Sequence, residues 1–186
     1  MRYFRLILFF IVIGNAPRLW AGPENSLDLE AFKRDTRIFE SIMSERLKQN
    51  FPNPFAITAQ PIGAYLPGYG MALSFSLNIN RATITWPWGE LQAPRRVGGY
   101  RNKRDQISQL QATILGCLAN YGHTIKQLSS RDRISVYVHV DDRNELDPTK
   151  NTTILVFTAK RSDIEAFTTQ VITYEEFSRK VEVAEY

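Results

Sequence analysis

Met71-Ala72-Leu73-Ser74-Phe75-Ser76-Leu77-Asn78-Ile79-Asn80 alternates without a break. Successive side chains of a strand point to opposite faces, so Met71, Leu73, Phe75, Leu77 and Ile79 form one greasy side. Ala72, Ser74, Ser76, Asn78 and Asn80 form a small, polar one. Such a strand lies over a core on one side only, and that side needs a second layer to cover it. Just upstream, Tyr65-Leu66-Pro67-Gly68-Tyr69-Gly70 puts a Pro-Gly pair at the centre of a type II turn. Ala56 to Asn80 therefore reads as a hairpin. A phosphate cradle is the sharper reading of that glycine-rich turn, but no helix start and no Lys-Ser/Thr pair follows it.

The covering layer is found on either side of the hairpin. Towards the N-terminus, Leu29, Phe32, Phe39, Met43 and Leu47 recur at helical spacing, opposite Lys33, Arg34, Arg37, Glu40, Ser44, Glu45 and Lys48. The spacing predicts an amphipathic helix capped by Ser26, with Asp28 and Glu30 in its first turn, ending near Asn50 before Pro52 and Pro54. The mixed charge of its polar face suits a helix on a sheet better than one on a membrane surface. Towards the C-terminus, a second helix is expected from a cap at Asn102 with Asp105 as its partner. Ile107, Leu110, Ile114, Cys117, Leu118 and Tyr121 make its buried stripe, and Gly122 stands where a left-handed cap belongs.

Beyond it, Ile134, Val136, Val138 and Val140 alternate with Ser135, Tyr137 and His139, a second amphipathic strand. Thr153 to Ala159 is apolar on both faces, which places it inside the sheet, and the polar stretch Asp141 to Asn151 joins the two as a second hairpin. Ser162 with Glu165 and Thr173 with Glu176 are capping-box patterns for two short helical turns. They are joined by an extended piece near Val171, and an edge strand follows at Val181 to Val183. The order helix, hairpin, helix, hairpin suggests a duplication, yet the halves share no alignable residues. The expected fold is α+β: a two-layer sandwich with a mainly antiparallel sheet of four to five strands in two hairpins, covered by two amphipathic helices.

The first residues follow a different logic. Arg2 and Arg5 precede an apolar run, Leu6 to Ile13, and a short polar stretch leads to Leu19-Trp20-Ala21, the layout of a secretory signal peptide cut after Ala21. The run is eight residues long, whereas a spanning helix needs about 20, so no transmembrane segment is expected in the mature chain. Residues 1–21 are read as the leader and 22–186 as one domain, exported to a periplasm or secreted. The leader holds three of the 23 basic residues and none of the 19 acids, so the mature chain has 20 basic against 19 acidic residues. A nucleic-acid partner is not expected at that balance. Cys117 is the sole cysteine, so no internal disulfide forms despite the exported address, which tilts the reading towards a bacterial envelope.

Catalytic signals are sparse. Two histidines, His123 and His139, have no partner at metal-ligand spacing, and no metal or other cofactor is expected. Asp141 to Asp147 is rich in oxygen ligands but lacks the mid-loop glycine and final bidentate Glu of a calcium loop. Cys117 lies mid-helix on the apolar stripe, away from any group that would activate it. Glu175 and Glu176 diverge on a helix, and no nucleophile elbow is present. The candidate surface is instead the long connection from 81 to 104. Trp86, Trp88 and Tyr100 stand there with Arg95, Arg96, Arg101, Lys103 and Arg104, and no acid falls between Arg95 and Arg104. Aromatic rings beside guanidinium groups suit recognition, and positive charge at a helix start opposes the dipole unless an anion answers it. The competing explanation puts the tryptophans in the core. A non-catalytic domain binding an envelope component or a partner protein is the leading expectation. An envelope hydrolase and a subunit of a larger assembly are the alternatives.

Overall fold

The structure, a computed structural model, describes residues 27–51, 56–79, 103–141 and 152–186. Its elements run α1 (Leu29–Asn50), β1 (Ala56–Leu66), β2 (Gly70–Asn78), α2 (Lys103–Tyr121), a 3-10 turn (Gly122–Thr124), β3 (Arg133–Asp141), β4 (Thr152–Lys160), α3 (Arg161–Thr168), α4 (Tyr174–Lys180) and β5 (Glu182–Glu185). The strands form one sheet in the order β1-β2-β3-β4-β5. Three neighbouring pairs are antiparallel and the central pair, β2 with β3, is parallel, from Gly70 opposite Arg133 to Asn78 opposite Asp141. The α+β two-layer sandwich is as expected, with one refinement. Two hairpins joined by a helix meet through a parallel seam, because α2 returns the chain to the end where β2 began.

The alternations put their apolar sets where the pattern says. Met71, Leu73, Phe75 and Leu77 of β2, Ile134, Val136, Val138 and Val140 of β3, and Leu155, Phe157 and Ala159 of β4 are all buried. Phe39, Met43 and Leu47 of α1 and Leu110, Ile114, Cys117 and Leu118 of α2 cover them. The helices run antiparallel and are pinned to each other by polar contacts: Asn50 Nδ2 donates to Thr113 Oγ1 at 3.0 Å, and Arg46 Nη2 donates to the Tyr121 hydroxyl at 2.7 Å. Ile164 of α3 and Phe177 of α4, neither with exposed surface, close the core at the end where β3 starts.

Local corrections follow from packing and chain geometry. The N-cap of α1 is Asp28, whose Oδ1 accepts from Glu30 N and Ala31 N, while Ser26 lies outside the described residues. Leu29, counted in the apolar stripe, is 55% exposed, because it opens the helix. Conversely Asp35 and Thr36 are buried. Asp35 accepts from Arg34 and, through Oδ2, from Lys126 N, so a residue on the helix flank ties α1 to the connection before β3. Gly122 is not left-handed, since positive φ among glycines belongs to Gly68 and Gly70. It is small because a Cβ there would stand 2.9 Å from Ile164 Cδ1.

The Ser162–Glu165 box does not form. β4 runs straight into α3 with Lys160 as N-cap and no side-chain cap, so Ser162 is already inside the helix and Glu165 lies beside Arg161, Nε to Oε1 3.1 Å. Arg161 itself is buried, its Nη1 donating to Gly122 O at 3.0 Å. The Thr173–Glu176 box does form in both directions, and the hydrogen bonds from Thr173 hold the Glu176 carboxyl below its ordinary pKa. The edge strand expected at Val181 to Val183 spans Glu182–Glu185, and it pairs with β4. The turn Leu66–Tyr69 has Gly68 at φ 75° with Tyr69 N donating to Leu66 O at 3.0 Å, the type II geometry read from Pro67-Gly68.

Both edges of the sheet are managed. β1 bulges between Ile57 and Ile62, and Glu40 Oε1 on α1 accepts from Gly63 N at 2.6 Å while Ser44 Oγ donates to Gln60 Oε1 at 2.8 Å. A carboxylate seated on an edge N–H denies it to another chain. The opposite edge, β5, is only four residues long.

Candidate functional site

Most of the recognition surface expected from the sequence, Trp86, Trp88, Arg95, Arg96, Tyr100 and Arg101, lies outside the described residues, as do the cap at Asn102 and the acidic stretch from Asp142 onward. Arg104 is described, exposed in the first turn of α2. The anchor points of these segments are also described. β2 leaves the sheet at Asn78, β3 at Asp141 opposite it, β4 enters at Thr152 opposite Asp141, and β1 enters at Ala56 opposite Asn78. α2, antiparallel to β2 and β3, starts towards the same end. The aromatic and basic connection and the acidic hairpin connection are therefore both tethered at one end of the sandwich, called here the upper end.

Cys117 meets the expectation of an inert thiol. It is buried in the α2 stripe, and desolvation pushes its pKa up to about 11, so the nucleophilic thiolate is scarce at neutral pH. Alkylation by iodoacetamide in native buffer is expected to be at least about tenfold slower than for a free thiol, and to reach the ordinary rate in denaturant. Fast labelling of the native protein, followed by mass spectrometry, would contradict this burial. His139 sits half-buried on the face of the sheet turned away from the helices. Among the described residues, no three His, Cys, Asp or Glu side chains converge in a metal-holding group, and no helix is long and apolar enough to cross a membrane.

Away from the helices, the sheet presents Ile62, Ala64 and Leu66 of β1, Ser74 and Ser76 of β2, Tyr137 and His139 of β3 and Val156 and Thr158 of β4. Among the described residues nothing is layered over this face, and Ile62 is 70% exposed. One position defies it. Ser135 has no exposed surface, because the Tyr69 side chain folds over it and the two hydroxyls hydrogen-bond, with Thr158 Oγ1 at 2.8 Å on the other side of Ser135 Oγ.

A groove of about 560 Å³ opens at the lower end, where the last turn of α2 and the 3-10 turn face the connection between α3 and α4. Ala119, Phe167, Val171 and Ile172 supply its apolar surface, and Asn120, His123, Thr168, Gln170 and Thr173 its polar groups; among the described residues no Asp, Glu, Lys or Arg lines it. Phe167 is held edge-on to Tyr174, centroids 6.2 Å apart, and tilted against Phe177 at 5.7 Å. Two features mark this groove. His123 Nδ1 is shut off from solvent with no hydrogen-bond partner.

Gln170 is the second. It has φ 60°, the only positive value outside glycine among the described residues. It occupies the left-handed position of a Schellman cap: Gln170 N donates to Phe167 O at 3.0 Å and Val171 N to Ala166 O at 2.8 Å. Glycine serves that position without strain, and a side chain there costs about 1 kcal/mol. Val171, which in this motif usually packs back on the helix, is instead 75% exposed beside the groove. Sequence reasoning missed this site because its two halves are remote in the chain and Gln carries no signal for a left-handed cap. A smaller depression of about 500 Å³ runs along Lys33, Arg37 and Ile38 of α1. It is lined by one helix alone and is that helix's solvated flank.

No family model, curated protein or solved structure matches this chain. The reading of its function rests on its own residues.

Proposed function

We propose that the chain is an exported, non-catalytic binding protein of a bacterial envelope, released from its leader after Ala21, which engages an envelope component or a partner protein through the aromatic and basic segment 81–104. The observation that supports this most is the tethering of that segment at the upper end of the sheet, between Asn78 and the start of α2, on a core-anchored hairpin and helix. Loops held at one end of a packed scaffold are the usual place for recognition, because the scaffold bears the folding energy and leaves the loop residues free to be chosen for contact. Trp86 and Trp88 supply area at small entropic cost, and Arg95, Arg96, Tyr100, Arg101 and Arg104 supply charge and hydrogen bonds to an anionic partner.

The test is co-isolation from envelope extract with the wild-type chain and with Trp86→Ala plus Trp88→Ala, alongside N-terminal sequencing of the exported product. The double variant is expected to lose its partners, and Arg95→Ala with Arg96→Ala to weaken capture in a salt-dependent way. Equal recovery by the tryptophan variant, or a product still bearing Met1, would refute the reading.

The sheet face left open among the described residues favours a second reading, a subunit whose layer is completed by another chain, since Ile62 and Leu66 are exposed on it. Size-exclusion with light scattering separates the two: a monomer at high concentration, with no partner retained after mild extraction, counts against the subunit.

A further inference from the structure

We propose that the lower groove between α2 and the α3–α4 connection is a binding site for an uncharged saccharide unit, separate from the segment 81–104 and independent of what that segment binds. Among the described residues the lining holds no Asp, Glu, Lys or Arg, so an ionic ligand would be desolvated there without a carboxylate, ammonium or guanidinium counter-ion, at a cost that neutral ligands avoid. The volume of about 560 Å³ falls within the range of small-ligand sites, which combine an apolar wall with a few convergent polar groups. A saccharide matches that combination. Its C–H face is apolar and can lie against Phe167 and Ile172, and its hydroxyls both donate and accept, as the Asn120 and Gln170 amides do.

The polar groups are differently committed, and that difference points to the ligand. Asn120 Nδ2 gives one of its two protons to Gly116 O at 2.8 Å, and Thr168 Oγ1 gives its only proton to Ile164 O at 2.9 Å, so Asn120 keeps a donor and an acceptor for ligand hydroxyls while Thr168 keeps an acceptor alone. The Gln170 amide makes no hydrogen bond among the described residues, so it offers a donor and an acceptor together. Left-handed strain at a non-glycine residue is retained where the side chain has a task, and here that side chain lines the groove.

The experiment is a titration of the isotope-labelled protein with neutral disaccharides of glucose, galactose, mannose and N-acetylglucosamine, followed by amide shifts up to about 10 mM. At least one disaccharide is expected to move the amides of 119–123 and 167–173 together, while leaving those near Asn78 and Asp141 in place. Gln170→Gly is the deciding variant. It is expected to raise Tm by a few degrees through relief of the backbone and to weaken saccharide binding about tenfold. A panel that moves none of these amides overturns the proposal. So does undiminished binding by Gln170→Gly, or tighter binding of a uronate disaccharide than of its neutral counterpart. Loss of the Trp86 and Trp88 partners with this titration intact would leave the groove standing alone, and the reverse would leave only the upper segment.

Discussion

Gly70→Ala is expected to destabilise the protein by about 4 kcal/mol, from backbone strain and overpacking together. Gly70 has φ 128°, a conformation closed to side chains, and a Cβ built on it would lie 2.2 Å from Arg133 O and 2.7 Å from Arg133 N. Those are backbone atoms and cannot swing aside. Arg133 N donates to Tyr69 O at 2.8 Å, and Gly70 opposite Arg133 is the first pair of the parallel seam, so relief would have to open the β2–β3 junction. The control is two residues away. Gly68 has φ 75° but open space around its Cβ position, so Gly68→Ala meets only the left-handed penalty of about 1 kcal/mol. Urea unfolding of the two variants checks the contrast; equal losses would mean that the seam is not closed as described.

Phe157→Ala is the second large effect, expected at about 3–5 kcal/mol and roughly 10 °C in Tm. Phe157 has no exposed surface; it stands on β4 between Val136 of β3 and Val183 of β5, facing the helices. Truncation leaves a cavity ringed by strand neighbours that cannot collapse without breaking register. Its neighbour Val156 points to the other face and is half-buried, so Val156→Ala should cost below about 1 kcal/mol, as a part-exposed site gains little from burial. Thermal unfolding of both variants compares the faces directly. A cost at Val156 as large as at Phe157 would show that the second face is covered in solution, in favour of the subunit reading.

What could be read without the structure was periodic. The alternations at Met71–Ile79 and Ile134–Val140 and the helical stripe from Phe32 to Leu47 depend on neighbours one to four residues away, and burial follows them residue by residue. Failures came where a distant element decided. Ser162 looks like a cap, but β4 delivers the chain into α3 two residues earlier. Gly122 looks like a left-handed cap, whereas it opens a 3-10 turn and Ile164 sets its size. Ser135 looks like a solvated strand residue until Tyr69 covers it. The groove was invisible for the same reason, since His123 and Gln170 have no local pattern that joins them.

By itself the sequence determined two amphipathic helices, four strands in two hairpins and a thiol packed in the core, because the hydrophobic effect acts on each segment through its own period. Only the tertiary structure decided the parallel seam at Gly70 and Arg133, the burial of Asp35 and Arg161, and the meeting of His123 and a strained Gln170 at one groove. Those outcomes depend on close approach between segments far apart in the chain, and the shape of one side of such a contact is not written in the residues of the other.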